Sequence, residues 1–93
     1  MLKHIVMWKL KDPADGAEMK RRLDECAAIV PGIISFEVSL AQPGLEATYD
    51  VVLYSEFADK AALDAYAAHP THEAVKPFIG AIRSERQCMD YEV

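Results

Sequence analysis

Residues 31–40 of this chain read P-G-I-I-S-F-E-V-S-L, a stretch that contains both a helix stop and a strand. Proline lacks a backbone N–H and glycine adopts left-handed conformations, so Pro31-Gly32 predicts the end of a preceding helix. From Ile33 onward apolar and polar residues alternate, which predicts a β-strand over Ile33–Leu40 with one buried face. The apolar face is predicted to carry Ile34, Phe36, Val38 and Leu40, and the polar face Ser35, Glu37 and Ser39.

The segment before this strand predicts another strand and a helix. Lys3–Leu10 is rich in β-branched and aromatic residues, as strands are. In the turn cluster that follows, Asp15 is expected to cap a helix and to form a capping-box pair with Glu18. That helix is predicted to run to the Pro31-Gly32 stop, with apolar residues at helical spacing: Met19, Leu23, Cys26, Ala27 and Val30.

The segment after the strand predicts a third strand, two helices and a last strand. Residues His69-Pro70 separate the helices, because proline disfavours helical conformation in the residue before it and is favoured at a helix start. The expected elements are a strand over Tyr49–Phe57, a helix over Lys60–Ala68 capped by Asp59, a short helix over Pro70–Ile79 ended by Gly80, and a strand over Ile82–Val93.

The element order β-α-β-β-α-β is that of a ferredoxin-like α+β fold, an antiparallel four-stranded sheet with helices on one face. With 93 residues, the chain is expected to form a single domain over residues 1–93. The second sheet face would be bare, and it shows a mixture of apolar and charged residues that is typical of a binding surface. Two such sheets packed face to face across a two-fold axis would form a dimeric α+β barrel, so a homodimer is expected. The apolar residues that share faces with charged neighbours are Ile5, Met7, Val52 and Tyr54.

The composition of the chain indicates which classes of binding partner are not expected. The formal charge is −5, from 15 acidic and 10 basic residues, and the basic residues are scattered apart from Lys20-Arg21-Arg22, so nucleic acid is not an expected partner. No apolar run approaches the roughly 18 residues of a membrane span, and no secretory signal pattern is present. Cys26 and Cys88 are expected to be reduced, buried small hydrophobes. The protein is therefore expected to be cytoplasmic and not to bind membranes.

Two of the three histidines lie in one segment, Y-A-A-H-P-T-H over residues 66–72. Tyr66, His69 and His72 are three residues apart, and Pro70 makes a corner that can aim a ring toward a cavity. His4 adds a third imidazole at the start of the first strand. Because histidine is the side chain best suited to proton transfer near neutral pH, this segment is a candidate catalytic site.

Each of these residues also has a structural alternative. A histidine before a proline commonly caps a turn, with its ring bonded to the backbone. Tyr66 shares the apolar side of its helix with Leu63, which is typical of a core residue. Trp8 is expected in the core or in the lining of the barrel, where it would contact a ligand.

Metal binding is a further alternative for the histidine segment. His69, His72 and Glu73 provide three ligand types within five residues, and His4 would be a fourth ligand. The spacing matches no strong zinc motif such as H-E-x-x-H. No metal and no other cofactor is therefore expected.

Five segments of the chain resemble the stress-responsive α/β-barrel (Dabb) domain family. The resemblance covers essentially the whole chain, and the combination of the K-H-I-V start with H-P-x-H is its most specific part. It implies a ferredoxin-like fold and a dimeric barrel. The segments are M-L-K-H-I-V-M-W-K-L-K (1–11), V-P-G-I-I-S-F-E-V (30–38), Y-D-V-V-L-Y-S-E-F (49–57), Y-A-A-H-P-T-H (66–72) and M-D-Y-E-V (89–93).

The resemblance also implies a chemistry. A plant polyketide cyclase of this family closes a ring by aldol condensation without a cofactor, and its site contains a Y-x-x-H-P-x-H segment. By that resemblance His72 is the general base, Tyr66 donates a hydrogen bond to the carbonyl oxygen, and His4 and His69 position this pair or a small organic ligand. Two other functions stay open: a non-enzymatic stress-responsive or structural protein, and a cofactor-free monooxygenase, which shares the dimeric barrel.

Overall fold

The computed structural model describes residues 1–93, which form four strands and three helices. A short 3-10 turn over Pro13–Asp15 precedes the first helix. None of the helices has both the length and the apolar content needed to cross a bilayer. In chain order the elements are β1 (Leu2–Leu10), α1 (Gly16–Asp24), β2 (Ile33–Leu40), β3 (Val51–Phe57), α2 (Lys60–Ala68), α3 (Pro70–Ile82) and β4 (Arg83–Glu92).

The strands form one antiparallel sheet in the order β2-β3-β1-β4, which confirms the predicted ferredoxin-like fold. The core lies between the helices and one sheet face, here called the inner face. Strand residues such as Val6 and Leu53 meet helix residues such as Met19 there. The 14 buried hydrophobic residues are Leu2, Val6, Trp8, Leu10, Met19, Leu23, Cys26, Val38, Val51, Leu53, Phe57, Leu63, Tyr66 and Val75.

The opposite, outer face of the sheet contributes none of these core residues. Met7 in β1 and Met89 in β4 are 38% and 66% exposed on it. A charged pair lies on the same face, with Lys3 Nζ 4.0 Å from a Glu56 oxygen. The outer face is therefore the mixed apolar and charged surface that the sequence predicted to be bare.

The first helix lacks the side-chain cap that was predicted for it, and the capping aspartate belongs to the 3-10 turn before it. Asp12 accepts a hydrogen bond from the backbone N–H two residues later at 3.0 Å, whereas Asp15 makes no side-chain cap hydrogen bond. Pro13 is the first residue of the 3-10 turn, so Asp12 caps that turn, while Asp15 holds the N-cap position of α1 without a side-chain bond. Glu18, expected to complete a capping box, pairs instead with Arg21 at 2.7 Å.

The first helix also ends early. The prediction extended it to Pro31, but α1 stops at Asp24 and the chain continues in turns. The N–H of Cys26 donates to the Leu23 carbonyl at 2.9 Å, an i→i−3 bond that tightens the backbone beyond the helix. Cys26 nevertheless remains fully buried, as predicted.

Strand β2 has the predicted bounds, but one residue predicted on its buried face is exposed. Ile33 pairs with Phe57 and Ser35 with Glu56, so the residue between them has no partner. This irregularity shifts the side-chain alternation by one position, as a β-bulge does. The prediction of a buried Ile34 is therefore wrong: its side chain is 54% exposed.

Helix α3 continues past its predicted end at Gly80 to Ile82. A glycine ends a helix by adopting a left-handed conformation, and among the glycines only Gly32 and Gly44 do so here. The helix ends instead where the Ile82 carbonyl accepts the N–H of Lys11 at 2.9 Å. The end of α3 is thus set by a contact with the end of β1, which is distant in sequence.

Strand β4 lies at one edge of the sheet, and nearly all of its residues are exposed. Cys88 pairs across the sheet with buried Val6 but is itself exposed, which contradicts its predicted burial. An edge strand has a neighbour on one side only, and the helices do not cover its inner face.

Gly32 lies in the turn between α1 and β2, where the chain packs against the start of α2. Its φ of 93° is left-handed, and its carbonyl accepts the N–H of Ala58 at 2.8 Å. A Cβ added at Gly32 would lie 2.8 Å from the Cβ of Ala62, closer than such atoms approach. Gly44 has a similar φ of 83°, but a Cβ there would meet nothing within 4 Å.

We expect Gly32→Ala to lower the free energy of unfolding by about 2–4 kcal/mol, because it adds a steric clash to the cost of the left-handed backbone. Gly44→Ala is the matched control and should cost only about 1–2 kcal/mol, the backbone term alone. Urea unfolding monitored by circular dichroism measures both. Equal losses would show that the contact with α2 does not constrain Gly32.

Candidate active site

Tyr66 lies at the centre of the candidate site, on the buried side of α2. Its side chain is 1% exposed, and its hydroxyl is buried without a hydrogen-bond partner. Burial in this apolar environment raises the pKa of the phenol well above its usual range. The O–H is therefore protonated and free to donate a hydrogen bond to a ligand. The surrounding rings are His72, Phe57, Phe36 and His4, with centroids at 4.6, 5.3, 5.9 and 6.5 Å.

The His72 ring is half-buried and lies next to Tyr66. Its Nδ1 is 3.0 Å from the carbonyl oxygen of Ala67. Because a carbonyl only accepts, Nδ1 carries the proton, and Nε2 has a free lone pair in the neutral ring. Burial lowers the pKa of His72, and the hydrogen bond to Ala67 opposes that shift. A neutral imidazole with an open Nε2 can act as a general base.

The corner between α2 and α3 holds His72 in this position. His69 has an extended conformation, with φ −65° and ψ 138°, and ends α2. Its Nδ1 accepts the N–H of Thr71 at 3.1 Å, so the side chain is the N-cap of α3. Pro70 then occupies the first helical position. The predicted corner is confirmed, and its first histidine makes the capping contact given above as the structural alternative.

His4 approaches Tyr66 from the inner face of β1. Its Nδ1 lies 2.5 Å from a carboxylate oxygen of Asp90, its partner in β4. The backbone carbonyl of His4 accepts the hydroxyl of Ser55 at 2.8 Å. Only 13% of the His4 side chain is exposed, so the ring is held between Asp90 and the tyrosine ring.

A cavity of about 340 Å³ opens beside Tyr66 and His72, between the inner face of the sheet and α3. Trp8 lines it, whereas His4 and His69, the other two residues predicted to contact a ligand, are not among its lining residues. Three cationic side chains line it as well, although the sequence showed only scattered basic residues. The lining residues are Trp8, Leu23, Leu53, Tyr66, His72, Val75, Lys76, Ile79, Gly80, Arg83 and Arg86.

The three residues considered as metal ligands, His69, His72 and Glu73, each bind a different protein group. Glu73 pairs with Lys76 at 2.8 Å, and Nδ1 of His69 is occupied by its capping bond. His72 uses its Nδ1 for Ala67. Nowhere in the chain are three or more His, Cys, Asp or Glu side chains grouped so that they could hold a metal ion.

A second, larger cavity of about 460 Å³ lies under the loop between β2 and β3. Met7, Leu45 and Tyr49 are among its lining residues, but no histidine, lysine or arginine is. It shares no residue with the cavity beside Tyr66. The larger cavity has the carboxylates Glu46 and Asp50 in its lining, whereas the histidine and the cationic side chains line the smaller cavity.

Comparison with known proteins identifies relatives over the whole chain. The model of the stress responsive A/B barrel domain family matches residues 2–93, whereas no curated protein sequence matches. A dimeric protein of unknown function with a ferredoxin-like fold from Bacteroides fragilis is 32% identical, over 99% of this chain and 95% of that one, with a TM-score of 0.83. A Dabb family protein from Mesorhizobium loti is 29% identical over 99% and 95%, with a TM-score of 0.75.

A crystal structure of an antibiotic biosynthesis monooxygenase is also similar. It is 21% identical over 100% of this chain and 98% of that one, with a TM-score of 0.80. Identity this low shows a common fold and nothing about the reaction.

Because the Tyr66 hydroxyl is buried without a partner, its removal should not destabilise the ligand-free protein. We expect Tyr66→Phe to leave the free energy of unfolding unchanged or to raise it by up to about 1–3 kcal/mol, the cost of an unsatisfied buried polar group. Tyr54→Phe is the matched control: its hydroxyl donates to Glu56, so about 1 kcal/mol should be lost. Urea unfolding compares the two variants, and a clear loss in Tyr66→Phe would mean that its hydroxyl is already satisfied.

Proposed function

We propose that this chain, which belongs to the stress responsive A/B barrel domain family, forms a dimeric barrel that binds a small organic carbonyl compound and moves a proton on it without a cofactor. His72 is the general base, and Tyr66 stabilises the charge that develops on the carbonyl oxygen. The reaction class is enolisation, followed by aldol-type ring closure where the ligand carries a second carbonyl group.

One observation carries this proposal: Tyr66, whose buried hydroxyl has no hydrogen-bond partner, lines the same cavity as His72, whose Nε2 is free. A buried donor without an acceptor costs free energy, so its presence beside a cavity favours a ligand that supplies the acceptor. The neighbouring base is neutral because burial lowers its pKa, and the phenol is neutral because burial raises its pKa. Neutral donor and neutral base are the protonation states that enolisation needs.

The proposed step is a proton transfer from the ligand to His72. Nε2 of His72 takes a proton from the carbon next to the ligand's carbonyl group. The electron pair of the broken C–H bond forms the C=C bond of an enolate, and the carbonyl oxygen becomes an oxyanion that accepts the O–H of Tyr66. If the enolate carbon attacks a second carbonyl, a C–C bond forms and the resulting alkoxide takes the proton back from the His72 imidazolium.

The other predicted site residues have supporting roles in this proposal. Trp8 lines the cavity and contacts the apolar part of the ligand. His4, tied to Asp90, restrains the Tyr66 ring at a centroid distance of 6.5 Å. His69 caps α3 and thereby positions His72. His4 and His69 are positioning residues, as the family resemblance implies.

The dimer is proposed to form through the outer face of the sheet. That face bears exposed apolar residues, and a related structure of 32% identity is a dimeric protein. Joining two outer faces would cover Met7 and Met89 and leave each cavity on the inner face of its own sheet. The two sites of the dimer would then be separate.

We expect Met7→Glu to convert the dimer to a monomer, because it would place an unpaired carboxylate in the interface. Ala65→Glu adds the same charge to an exposed position on α2 and should leave the dimer intact. Sedimentation velocity measures both at equal concentration. A dimer that survives Met7→Glu would place the interface elsewhere.

The proton transfer is tested by deuterium exchange. In D2O, wild-type protein should speed the exchange of the protons next to the carbonyl group of acetophenone and of 4-oxo-4-phenylbutanoate, followed by ¹H NMR. We expect His72→Ala to slow this exchange by about 10²–10⁴-fold, the usual contribution of a general base. Circular dichroism and sedimentation serve as controls that the variant keeps its fold and assembly. An unchanged exchange rate in His72→Ala would refute the role of His72.

The same assay has a predicted pH dependence. The base must be unprotonated, so the rate should rise with pH through the pKa of His72, which burial lowers from its ordinary 6.5. The rate should then stay level until Tyr66 loses its proton, above the ordinary phenol value of 10.0. A midpoint above 6.5 would contradict the assigned base. A structural, non-enzymatic role would show as protein that binds no probe and whose His72→Ala variant loses only stability.

A further inference from the structure

Two arginines on the wall of the cavity have no protein partner. Arg83 and Arg86 line it, and neither forms a salt bridge or a side-chain hydrogen bond. The other two arginines of the chain, Arg21 and Arg22, both bind the Glu18 carboxylate on α1. Carboxylates are not scarce in a chain with a formal charge of −5, yet neither of these two arginines has one as a partner.

Their placement follows from the end of α3 and the register of β4. Arg83 begins β4 directly after the last residue of α3. Arg86 pairs across the sheet with Trp8, so its side chain lies on the inner face beside that cavity residue. Lys76, one helical turn after His72, lines the same cavity, so Lys76, Arg83 and Arg86 together form a cationic wall. The charge of Lys76 is partly neutralised by Glu73, whose carboxylate oxygen lies 2.8 Å from Lys76 Nζ. Three positive side chains thus surround one opening.

We propose that this wall is a subsite for an anionic oxygen group, a carboxylate or a phosphate, on the same ligand whose carbonyl group meets Tyr66 and His72. The guanidinium group binds such oxyanions with two parallel hydrogen bonds, and two unpaired guanidiniums can hold one anion between them. The inference rests on the proposed function, because it assigns the remainder of that ligand. It names the substrate class as oxo acids or oxo phosphates rather than neutral ketones.

The cavity has an apolar inner part and a cationic outer part. Tyr66, Trp8, Leu23, Leu53 and Val75 make the deep part apolar, and all of them are buried. Arg83 and Arg86 are exposed, so they stand at the solvent side. A ligand with an apolar body, an inner carbonyl and an outer anionic group would match both ends. Such a ligand would be oriented before the proton is removed, which lowers the entropic part of the barrier.

The test compares three probes of similar size: 4-oxo-4-phenylbutanoate, its methyl ester, and the phosphonate in which the carboxylate is replaced. Dissociation constants are measured by titration calorimetry on the 93-residue chain. Wild-type protein should bind an anionic probe at least about tenfold more tightly than the ester, the effect of one good charge-assisted contact. In Arg83→Gln/Arg86→Gln this preference should disappear, while Lys20→Gln on α1 removes the same type of charge elsewhere and should preserve it.

Each outcome has a definite meaning. A stronger preference for the carboxylate assigns an oxo acid, and a stronger preference for the phosphonate assigns a phosphate. Equal binding of all three probes, or no binding of any, overturns the subsite. If exchange depends on His72 but acid and ester react equally, only the subsite fails; if the acid preference exists without exchange, only the proposed reaction fails.

Discussion

The corner at His69 and Pro70 is the constraint on which the site depends. Proline cannot continue the hydrogen bonding of α2, so the chain turns, and the His69 ring caps the helix that starts again. The turn brings His72 back over the end of α2, where Nδ1 meets the carbonyl of Ala67. A backbone hydrogen bond thereby sets which nitrogen carries the proton and leaves the other free. The chemistry of this histidine follows from the geometry of the corner.

Burial acts on the two central residues in opposite directions. It disfavours the charged form of any group, so it raises the pKa of Tyr66 and lowers the pKa of His72. Both effects keep the pair neutral near neutral pH, as a donor and a base. The tyrosine hydroxyl is left without an acceptor, which is a free-energy cost to the folded, ligand-free protein. Structural packing alone would be better served by phenylalanine at this position.

Local patterns predicted much of the fold. Asp59 caps α2, which has the predicted bounds, and β2 begins and ends as its alternation indicated. These features depend on residues within a few positions of one another. Two of the errors concern contacts between distant segments: Ile34 is exposed because of the register between β2 and β3, and Gly80 lies inside α3 because the helix ends on Lys11. Register and helix docking involve partners that no local pattern contains.

The same distinction applies to the candidate site. The sequence by itself determined the corner and the closeness of Tyr66 and His72, because these residues are neighbours along the chain, and the family resemblance supplied the chemistry proposed for them. Only the tertiary structure decided that the tyrosine hydroxyl has no partner and that Arg83 and Arg86 line the same cavity. In the sequence these arginines are two charges in a polar strand. Sheet pairing places Arg86 beside Trp8, and the end of α3 places Arg83 near it, since a cavity is formed by elements that meet only after folding.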